Sequence, residues 1–161
     1  MKTKIKVKAI TDNIFPVIID KGDWIDLYTG EDTEFTATNV KFKVIKYISL
    51  GIAVQLPKGF EAIIAPRSST AKNFSIINPG SIGIIDNSYC GNNDIWKFPA
   101  MAFKTITIPK LSRIAQFRIQ LSQKATLWQK IKWFLSSGIE IVEVNNLSDN
   151  NRGGFGSTGV K

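Results

Sequence analysis

The 161-residue chain contains no histidine and only one cysteine, Cys90. Without histidine it cannot use a Ser-His catalytic triad or bind a metal through imidazole. A single cysteine also excludes an intrachain disulfide framework and a cysteine-rich zinc site. Acid–base chemistry therefore falls to carboxylates, tyrosine or lysine, and any metal is expected to be a hard, oxygen-bound ion such as magnesium.

Long apolar runs are also missing. No run approaches the roughly 18 residues of a membrane-spanning helix, and the N-terminal MKTKIKVKAI has alternating lysines instead of the apolar centre of a signal peptide. We therefore expect one cytoplasmic domain without a membrane partner. The formal net charge of +8 indicates an anionic partner, for which a nucleotide and a nucleic acid both qualify.

Short runs rich in β-branched residues predict an all-β fold. Residues 2–9 alternate lysine with smaller or apolar residues, which is typical of an exposed or edge strand. Further strands are predicted at 42–48, 51–56, 61–65, 74–77, 81–86, 105–108, 113–119 and 138–144. Turn residues separate them at the intervals expected of a sandwich or barrel, with a turn at Pro57-Lys58-Gly59 and a strand end at Pro109.

Residues 123–138, QKATLWQKIKWFLSSG, break this pattern and predict one helix. Five apolar residues fall on one helical stripe, and Gly138 follows as a stop signal. The stripe consists of Leu127, Trp128, Ile131, Phe134 and Leu135. We predict that a helix at about 124–136 packs this stripe on the sandwich. Trp133 lies off the stripe, so a docking surface for another subunit or protein is the main alternative, and a membrane-surface helix is a weaker one.

Two segments carry candidate chemistry. In AIIAPRSSTA a strand leads into Pro66, and the guanidinium and hydroxyls that follow can bind phosphate oxygens, although solvated loops have the same composition. In SIGIIDNSYCGNND an apolar run reaches Asp86, and Gly83 within it marks close approach by a ligand or another backbone. Asp86 and Tyr89 are then either a turn former and a core aromatic, or a general base beside an aromatic platform.

These segments, taken in order with three others, resemble the five motifs of the trimeric dUTP pyrophosphatase (dUTPase) family. The motifs are GDWIDLYTGED at 22–32, APRSST at 65–70, GIIDNSYCG at 83–91, RIAQF at 113–117 and RGGFGSTG at 152–159. The helical segment fits the insertion of a phage and Gram-positive subgroup. The resemblance implies a homotrimer with a distorted jelly-roll or β-barrel domain over 1–147, a helical insertion at about 122–138, and a flexible C-terminal arm over 148–161.

The resemblance also implies hydrolysis of dUTP to dUMP and pyrophosphate with Mg²⁺. Asp86 would be the general base that orients a water for in-line attack on the α-phosphorus, and Asp26 would hold magnesium through water. Tyr89 would lie against the deoxyribose and leave no space for a 2′-hydroxyl. Contacts to phosphate oxygens or to the neighbouring subunit's site are implied for Arg67, Ser68, Ser69 and Gln116. Uracil would be recognised largely by backbone groups of a hairpin that is too narrow for the methyl group of thymine, formed by Gly80, Ser81, Ile82, Gly83 and Ile84.

The C-terminal arm would close over a nucleotide bound between other subunits. Phe155 would stack on uracil, while Arg152, Ser157 and Thr158 would face the phosphates. Glycines such as Gly156 let backbone N–H groups approach the triphosphate, and closure excludes water.

Three positions depart from the usual family pattern. Gly80 stands where the hairpin often carries asparagine. Leu111-Ser112-Arg113 replaces the Gly-Asp-Arg that usually begins the fourth motif. In the fifth motif Arg152 lies only three residues before Phe155, closer than in the common form.

Two other functions remain alternatives to dUTP hydrolysis. A dCTP deaminase-type enzyme would need a later glutamate, but no acidic residue occurs between Asp94 and Glu140, and Tyr89 stands where deaminases usually have tryptophan. A dUTPase-like regulatory protein could act through a protein partner at the inserted helix. Nucleic-acid binding is not expected, because the lysines form no recognised motif.

Overall fold

The computed structural model of the protein describes residues 2–18 and 22–148. Eleven strands and three short helices lie in these ranges. The strands are β1 Thr3–Ala9, β2 Ile25–Tyr28, β3 Thr33–Phe35, β4 Lys46–Gln55, β5 Phe60–Pro66, β6 Ile76–Ile77, β7 Gly83–Ile85, β8 Ile95–Ala102, β9 Ile106–Ile108, β10 Arg113–Leu121 and β11 Ile139–Glu143. The helices are α1 Ala37–Lys41, α2 Thr70–Phe74 and α3 Leu127–Phe134.

The strands form two main sheets and one small sheet. One main sheet has the order β11-β1-β4-β8-β6, the other has the order β2-β10-β5-β7, and β3 pairs with β9. The lysine face of β1 is exposed as predicted, but β1 is not an edge strand, because β11 pairs with it in parallel and β4 pairs with it in antiparallel orientation. The edge position belongs to β11.

The inward faces of the two main sheets form one apolar core. Strand β8, which the sequence prediction missed, alternates buried and more exposed residues and contributes Trp96 and Phe98 to the core. Trp96 meets Phe117 of β10 edge to face, with ring centroids 5.2 Å apart. This packing joins the two sheets, since β8 and β10 belong to different ones.

The all-β prediction is confirmed, but two details of it are wrong. The described residues form open sheets with no closed barrel, and α1 and α2 accompany the one predicted helix. Thr36 caps the first turn of α1 in a capping box with Asn39. The strands predicted at 42–48 and 51–56 form one strand, β4, which begins only at Lys46. The strand predicted at 74–77 is only Ile76–Ile77, since Phe74 still belongs to α2. No helix in the described ranges is long and apolar enough to cross a bilayer.

Helix α3 forms within its predicted limits but presents the opposite face to the sheets. Thr126 caps its N-terminus in a capping box with Gln129. The predicted stripe is solvent-exposed, with Trp128 at 64% and Phe134 at 86% of their accessible surface. Trp133, predicted to lie off the packed face, meets Phe60 edge to face at 5.0 Å. The prediction that the stripe packs on the sandwich is therefore wrong.

The last described residues are fastened beside the third motif. The Asn92 amide donates to the Ser148 carbonyl at 3.1 Å, and Gly91 forms a parallel bridge with Ser148. The Asn92 side-chain oxygen accepts from the Leu147 amide at 2.9 Å and from the Lys8 ammonium at 3.1 Å. Leu147 and Ser148 are therefore attached to Gly91 and Asn92, which follow Tyr89 by two and three residues in the sequence.

Candidate active site

Strands β2, β10 and the end of β5 bring together three predicted phosphate- and metal-binding residues. Gln116 on β10 pairs with Asp26 on one side and with Ala65 on the other, so the chain beyond β5 places Arg67 close to both. Arg67 Nε donates to Asp26 Oδ1 at 2.7 Å, and Gln116 Nε2 donates to the Pro66 carbonyl at 3.3 Å. The structure therefore places Asp26, Arg67 and Gln116 next to one another.

Arg113 completes this group and was missed as a site residue. Its Nη1 lies 3.2 Å from Asp26 Oδ2, so two guanidiniums share one carboxylate. The signal for it was available, because Arg113 begins the fourth motif and hence β10. The excess positive charge on Arg67 and Arg113 suits this group, which we call the arginine half-site, to an oxyanion.

Asp26 retains capacity for a hydrated cation. Its side chain is 16% exposed and accepts two hydrogen bonds, which leaves about two of its four lone-pair positions. The described residues contain no group of three His, Cys, Asp or Glu side chains that could enclose a metal. Asp26 can therefore bind a magnesium ion only through a bridging water, and the remaining ligands would come from a substrate such as a nucleoside triphosphate.

The loop after β5 leaves two hydroxyls accessible next to Arg67. The Thr70 hydroxyl accepts from the Arg67 amide at 3.1 Å and donates to the Ile114 carbonyl at 2.7 Å, which fixes the loop on β10. Ser68 is exposed, and the half-buried Ser69 is the N-cap residue of α2 but makes no side-chain capping hydrogen bond. Both hydroxyls are therefore suited to contact phosphate oxygens.

A tight turn after β7 holds Asp86 and Tyr89 together. The Asp86 carbonyl accepts from the Tyr89 amide at 3.0 Å, and its Oδ1 accepts from the Ser88 amide at 2.8 Å and the Ser88 hydroxyl at 2.6 Å. The Asp86 side chain is exposed, so a water molecule can reach its carboxylate. The turn-forming interpretation of Asp86 is confirmed, and it is compatible with a role as a base.

Tyr89 is fixed as a neutral phenol. Its hydroxyl donates to the Ile95 carbonyl at 3.1 Å, and its ring packs against the core. Burial raises the pKa of Tyr89, and the nearby Asp94 carboxylate adds to the effect. Asp94, which the sequence analysis did not single out, is buried and accepts from the Gly91 amide at 2.8 Å. The phenol therefore offers its ring as an apolar wall.

The hairpin at 80–84 lies between β6 and the end of β7. Ser81, Ile82 and Ile84 are exposed, and Ser81 has a φ of 64°. A Cβ atom added to Gly83 would meet Ile64 at an ordinary 3.6 Å. Within the described chain, the close approach predicted from Gly83 is therefore not found, because Ile64 lies at ordinary contact distance from that position.

The fourth-motif turn forms although its usual glycine is absent. Leu111 adopts the left-handed conformation, with a φ of 66°, and its amide donates to the Thr29 carbonyl at 2.9 Å. The Thr29 amide donates to the Ser112 carbonyl at 2.9 Å, and its hydroxyl donates to the Pro109 carbonyl at 2.7 Å. These bonds hold Arg113 at the start of β10.

Asp86 and the arginine half-site lie far apart on one chain. Asp26 is level with Ala65 across β10, whereas Asp86 follows Ile85, which pairs with Ala62. Three strand spacings of ~4.8 Å and about four residues of ~3.3 Å rise give a backbone separation of roughly 20 Å. We call the Asp86–Tyr89 turn with the hairpin the base half-site. The predicted site residues therefore form two groups.

The remaining predicted contacts lie outside the described residues. These are Arg152, Phe155, Gly156, Ser157 and Thr158 of the fifth motif. Their roles stay predictions.

Comparison with known proteins gives consistent results. A family model for dUTPase matches residues 25–159. An SPbeta prophage-derived deoxyuridine 5'-triphosphate nucleotidohydrolase of Bacillus subtilis is 43% identical over 159 residues, covering 98% of this chain and 99% of the relative. Among solved structures, a dUTPase from Streptococcus mutans has a TM-score of 0.65 at 21% identity, covering 75% of this chain and 98% of that one.

A second solved structure adds a metal to the comparison. It is a mutant dUTPase from phage phi11 of Staphylococcus aureus, described as showing the coordination of a structural Mg(II) ion. Its TM-score is 0.62 at 15% identity, and it covers 76% of this chain and 94% of its own. At these identities the two structures establish a shared fold.

Proposed function

This chain belongs to the dUTPase family, and we propose that it hydrolyses dUTP to dUMP and pyrophosphate. The observation that carries the proposal is the turn after β7. There the Asp86 carbonyl accepts the Tyr89 amide at 3.0 Å, which places an exposed carboxylate beside a fixed aromatic wall. In a chain without histidine, this carboxylate is suited to be the base.

The reaction proceeds by in-line attack of water on the α-phosphorus. Asp86 accepts a proton from the water as the water oxygen forms a bond to the α-phosphorus, and the bond between the α-phosphorus and the oxygen that bridges it to the β-phosphorus breaks. The electron pair of that bond leaves with pyrophosphate. Tyr89 lies against the deoxyribose and excludes a 2′-hydroxyl, while the hairpin at 80–84 reads uracil through its backbone groups.

The arginine half-site binds the triphosphate. Arg67, Ser68, Ser69 and Gln116 contact phosphate oxygens, and Arg113 joins them because it shares Asp26 with Arg67. Magnesium, when bound, neutralises charge on the phosphates and on the leaving pyrophosphate. Asp26 would hold that ion through water, in keeping with its single carboxylate and its remaining lone-pair positions.

A homotrimer would unite the two half-sites. The separation of roughly 20 Å within one chain favours a site that takes its base from one copy and its phosphate ligands from the next. The β domain over residues 1–147 forms this assembly, and the arm over 148–161 covers the nucleotide with Phe155. We place the reaction in the cytoplasm, which is the host cytoplasm if the gene is of phage origin.

Pyrophosphate release tests the activity directly. We expect release from dUTP in the presence of magnesium, and little from dTTP, dCTP or UTP measured beside it. Addition of EDTA should abolish release, and Asp86→Asn should abolish turnover while dUTP still binds. Efficient release from UTP or dTTP, or activity that survives chelation, would contradict the proposed reaction.

The exposed face of α3 favours a second function, the binding of a protein partner. Its stripe residues Leu127, Trp128, Phe134 and Leu135 are between 64% and 86% exposed. Beside them, a groove of about 750 Å³ runs between α3, the start of β1 and the Pro57–Phe60 turn. Contiguous apolar surface of this kind is typical of interaction sites.

Charge selects an acidic amphipathic segment as the occupant of this groove. Lys2, Lys4, Lys58 and Lys132 line it, with Glu140 as the single acidic residue among the lining residues. A second copy of the chain carries a formal charge of +8, and the segment 149–161 has two basic side chains and one acidic one. Neither complements the four lysines, whereas a helix with acidic and leucine-rich faces does.

A designed peptide can test this surface. The probe is a 20-residue helix with leucine on one face and glutamate on the other, and its control has the same residues in an order without a face. We expect binding to the ordered peptide that weakens at least tenfold between 50 and 300 mM NaCl. The double variant Trp128→Ser/Phe134→Ser should lose this binding, while Phe103→Ser, at a position elsewhere that is nearly as exposed as Trp128, should not. Equal binding of the control peptide, or binding only to phosphatidylglycerol vesicles, would reject a protein partner.

A further inference from the structure

Asn78 lies beneath the uracil hairpin and holds its first half in place. It follows β6 and is only 8% exposed. Its side-chain Oδ1 accepts from the Gly80 amide at 2.9 Å, and its backbone carbonyl accepts from the Ser81 amide at 3.1 Å. Asn78 thus binds two consecutive amides of the hairpin, in the manner of an Asx-turn.

The hairpin needs such a brace because its backbone is strained. Ser81 occupies the left-handed region with a φ of 64°, which residues other than glycine adopt only where their surroundings enforce it. The Ile82 amide turns back to the Gly80 carbonyl at 2.9 Å. The amides of Gly80, Ser81 and Ile82 therefore all donate within this segment, and two of them donate to Asn78.

The presence of Asn78 is poorly explained by what it contributes to the stability of the fold. Its Nδ2 is buried and has no hydrogen-bond partner within the described residues. An unpaired buried donor carries a desolvation cost, and such groups in folded proteins call for a reason. A Cβ atom added to Gly80 would lie 3.4 Å from Asn78 Oδ1, so the Asn78 amide occupies the space immediately beside position 80.

We propose that Asn78 is a positioning residue for pyrimidine recognition, which sets the width of the uracil slot by holding Gly80 and Ser81. This inference rests on the proposed function, because it assigns the slot to the hairpin at 80–84. If Asn78 sets the width, loss of its Oδ1 lets the hairpin relax and admits the methyl group of thymine. A rigid pocket discriminates one methyl group by about 10–200-fold, which bounds the effect.

The test compares Asn78→Ala, which removes the brace, with Asn78→Asp and Asn78→Ser, which keep an oxygen that can accept from the Gly80 amide. The measurement is kcat and KM for dUTP and dTTP, with thermal unfolding in parallel. For Asn78→Ala we expect a KM for dUTP raised at least fivefold, kcat changed less than twofold, and the ratio of kcat/KM for dUTP over dTTP reduced at least tenfold. At least one oxygen-bearing variant should restore the ratio to within threefold of wild type.

The outcomes separate the inference from the proposed function. If the wild-type protein does not hydrolyse dUTP, the proposed function fails. If wild type is active but Asn78→Ala keeps the dUTP/dTTP ratio, Asn78 is only structural and the inference is overturned. Should Asn78→Ala not fold, Asn78→Leu replaces it as the brace-free variant, and the same ratio decides. A ratio that falls equally in all variants, including Asn78→Asp, would also overturn the role of Oδ1.

Discussion

Two inactive variants should restore activity when they are mixed in one trimer. Asp86→Asn removes the base, and Arg67→Ala removes a phosphate ligand from the other half-site. Each variant alone is expected to fall below about 1% of the wild-type rate, because a general base and a phosphate-binding arginine each contribute at least ~100-fold. The separation of roughly 20 Å predicts that each working site draws these residues from two different copies.

The recovered activity follows from counting. In trimers assembled at random from equal amounts, a given site receives an intact base with a probability of about one half and an intact arginine from the neighbouring copy with the same probability. About one quarter of the sites therefore have both, and the unfractionated mixture should reach ~25% of the wild-type rate. Trimers selected for both variants exclude the two uniform species, so one of their three sites is complete and they should reach ~33%.

Co-expression with two different affinity tags provides the assay. Tandem purification isolates trimers that contain both variants, and pyrophosphate release from dUTP measures their rate. The same two changes placed in one chain, mixed with nothing, serve as the control and should stay inactive. If purified mixed trimers remain at the level of the single variants, the base and Arg67 act from the same chain and the inter-copy arrangement is refuted.

Three further predictions concern stability. Trp133→Ala should lower the free energy of unfolding by about 1–2 kcal/mol, because it loses the contact with Phe60. Phe134→Ala on the exposed face should change it by less than ~0.5 kcal/mol in urea titrations. Similar losses for the two variants would contradict the observed orientation of α3. Leu111→Gly should keep or raise stability by up to ~1 kcal/mol because its φ is 66°, and a lowered Tm would show that the leucine packing outweighs the backbone strain. Burial raises the folded-state pKa of Tyr89. The stability that the neutral phenol contributes is therefore complete below the unfolded pKa of about 10 and is lost as pH rises through the folded pKa. In urea titrations, the free energy of unfolding should fall less between pH 8 and pH 11 for Tyr89→Phe than for wild type.

Period-two patterns predicted β1 and β10, but they divided β4 into two strands and missed β8, for which a proline is the reason. Predicted strands at 2–9 and 113–119 correspond to β1 and β10. Strand β8 contains Pro99, and a proline argues against a central strand. Here Pro99 pairs only with Tyr47 of β4, because β6 pairs with β8 further along, at Met101 and Ala102. The missing amide therefore faces no partner strand, which a sequence pattern cannot show.

The face of α3 could not be read from periodicity alone. The stripe is the more apolar side of the helix, yet Gln129 and Trp133, one turn apart, face the body of the protein. The Gln129 side chain lies directly over Gly59, where any Cβ atom would collide with it. An apolar stripe in the sequence identifies a face that favours burial but not the surface that buries it, and the described part of this chain leaves the stripe exposed.

The motifs in the sequence identify the residues of the candidate site, but they do not show that these residues form two separate groups in one chain. The motifs identified Asp26, Arg67 and Gln116, and β10 brings them together. They also identified Asp86 and Tyr89, but strand order, which decides their distance from the first group, is not a local property of sequence. Asn78 escaped notice because it lies outside the motifs and its importance comes from the amides above it.

The attachment of Ser148 to Gly91 and Asn92 fixes the point from which the proposed C-terminal arm starts. Phe155 follows Ser148 by seven residues, which span at most ~25 Å when fully extended. Phe155 can cover a nucleobase only if the nucleobase binds within about that distance of Ser148. If the arm covers the nucleotide as proposed, its length also limits where the nucleotide can bind: shortening the stretch between Ser148 and Phe155 by two residues would reduce the reach of Phe155 by up to ~7 Å, whereas residues added after Phe155 would leave that reach unchanged.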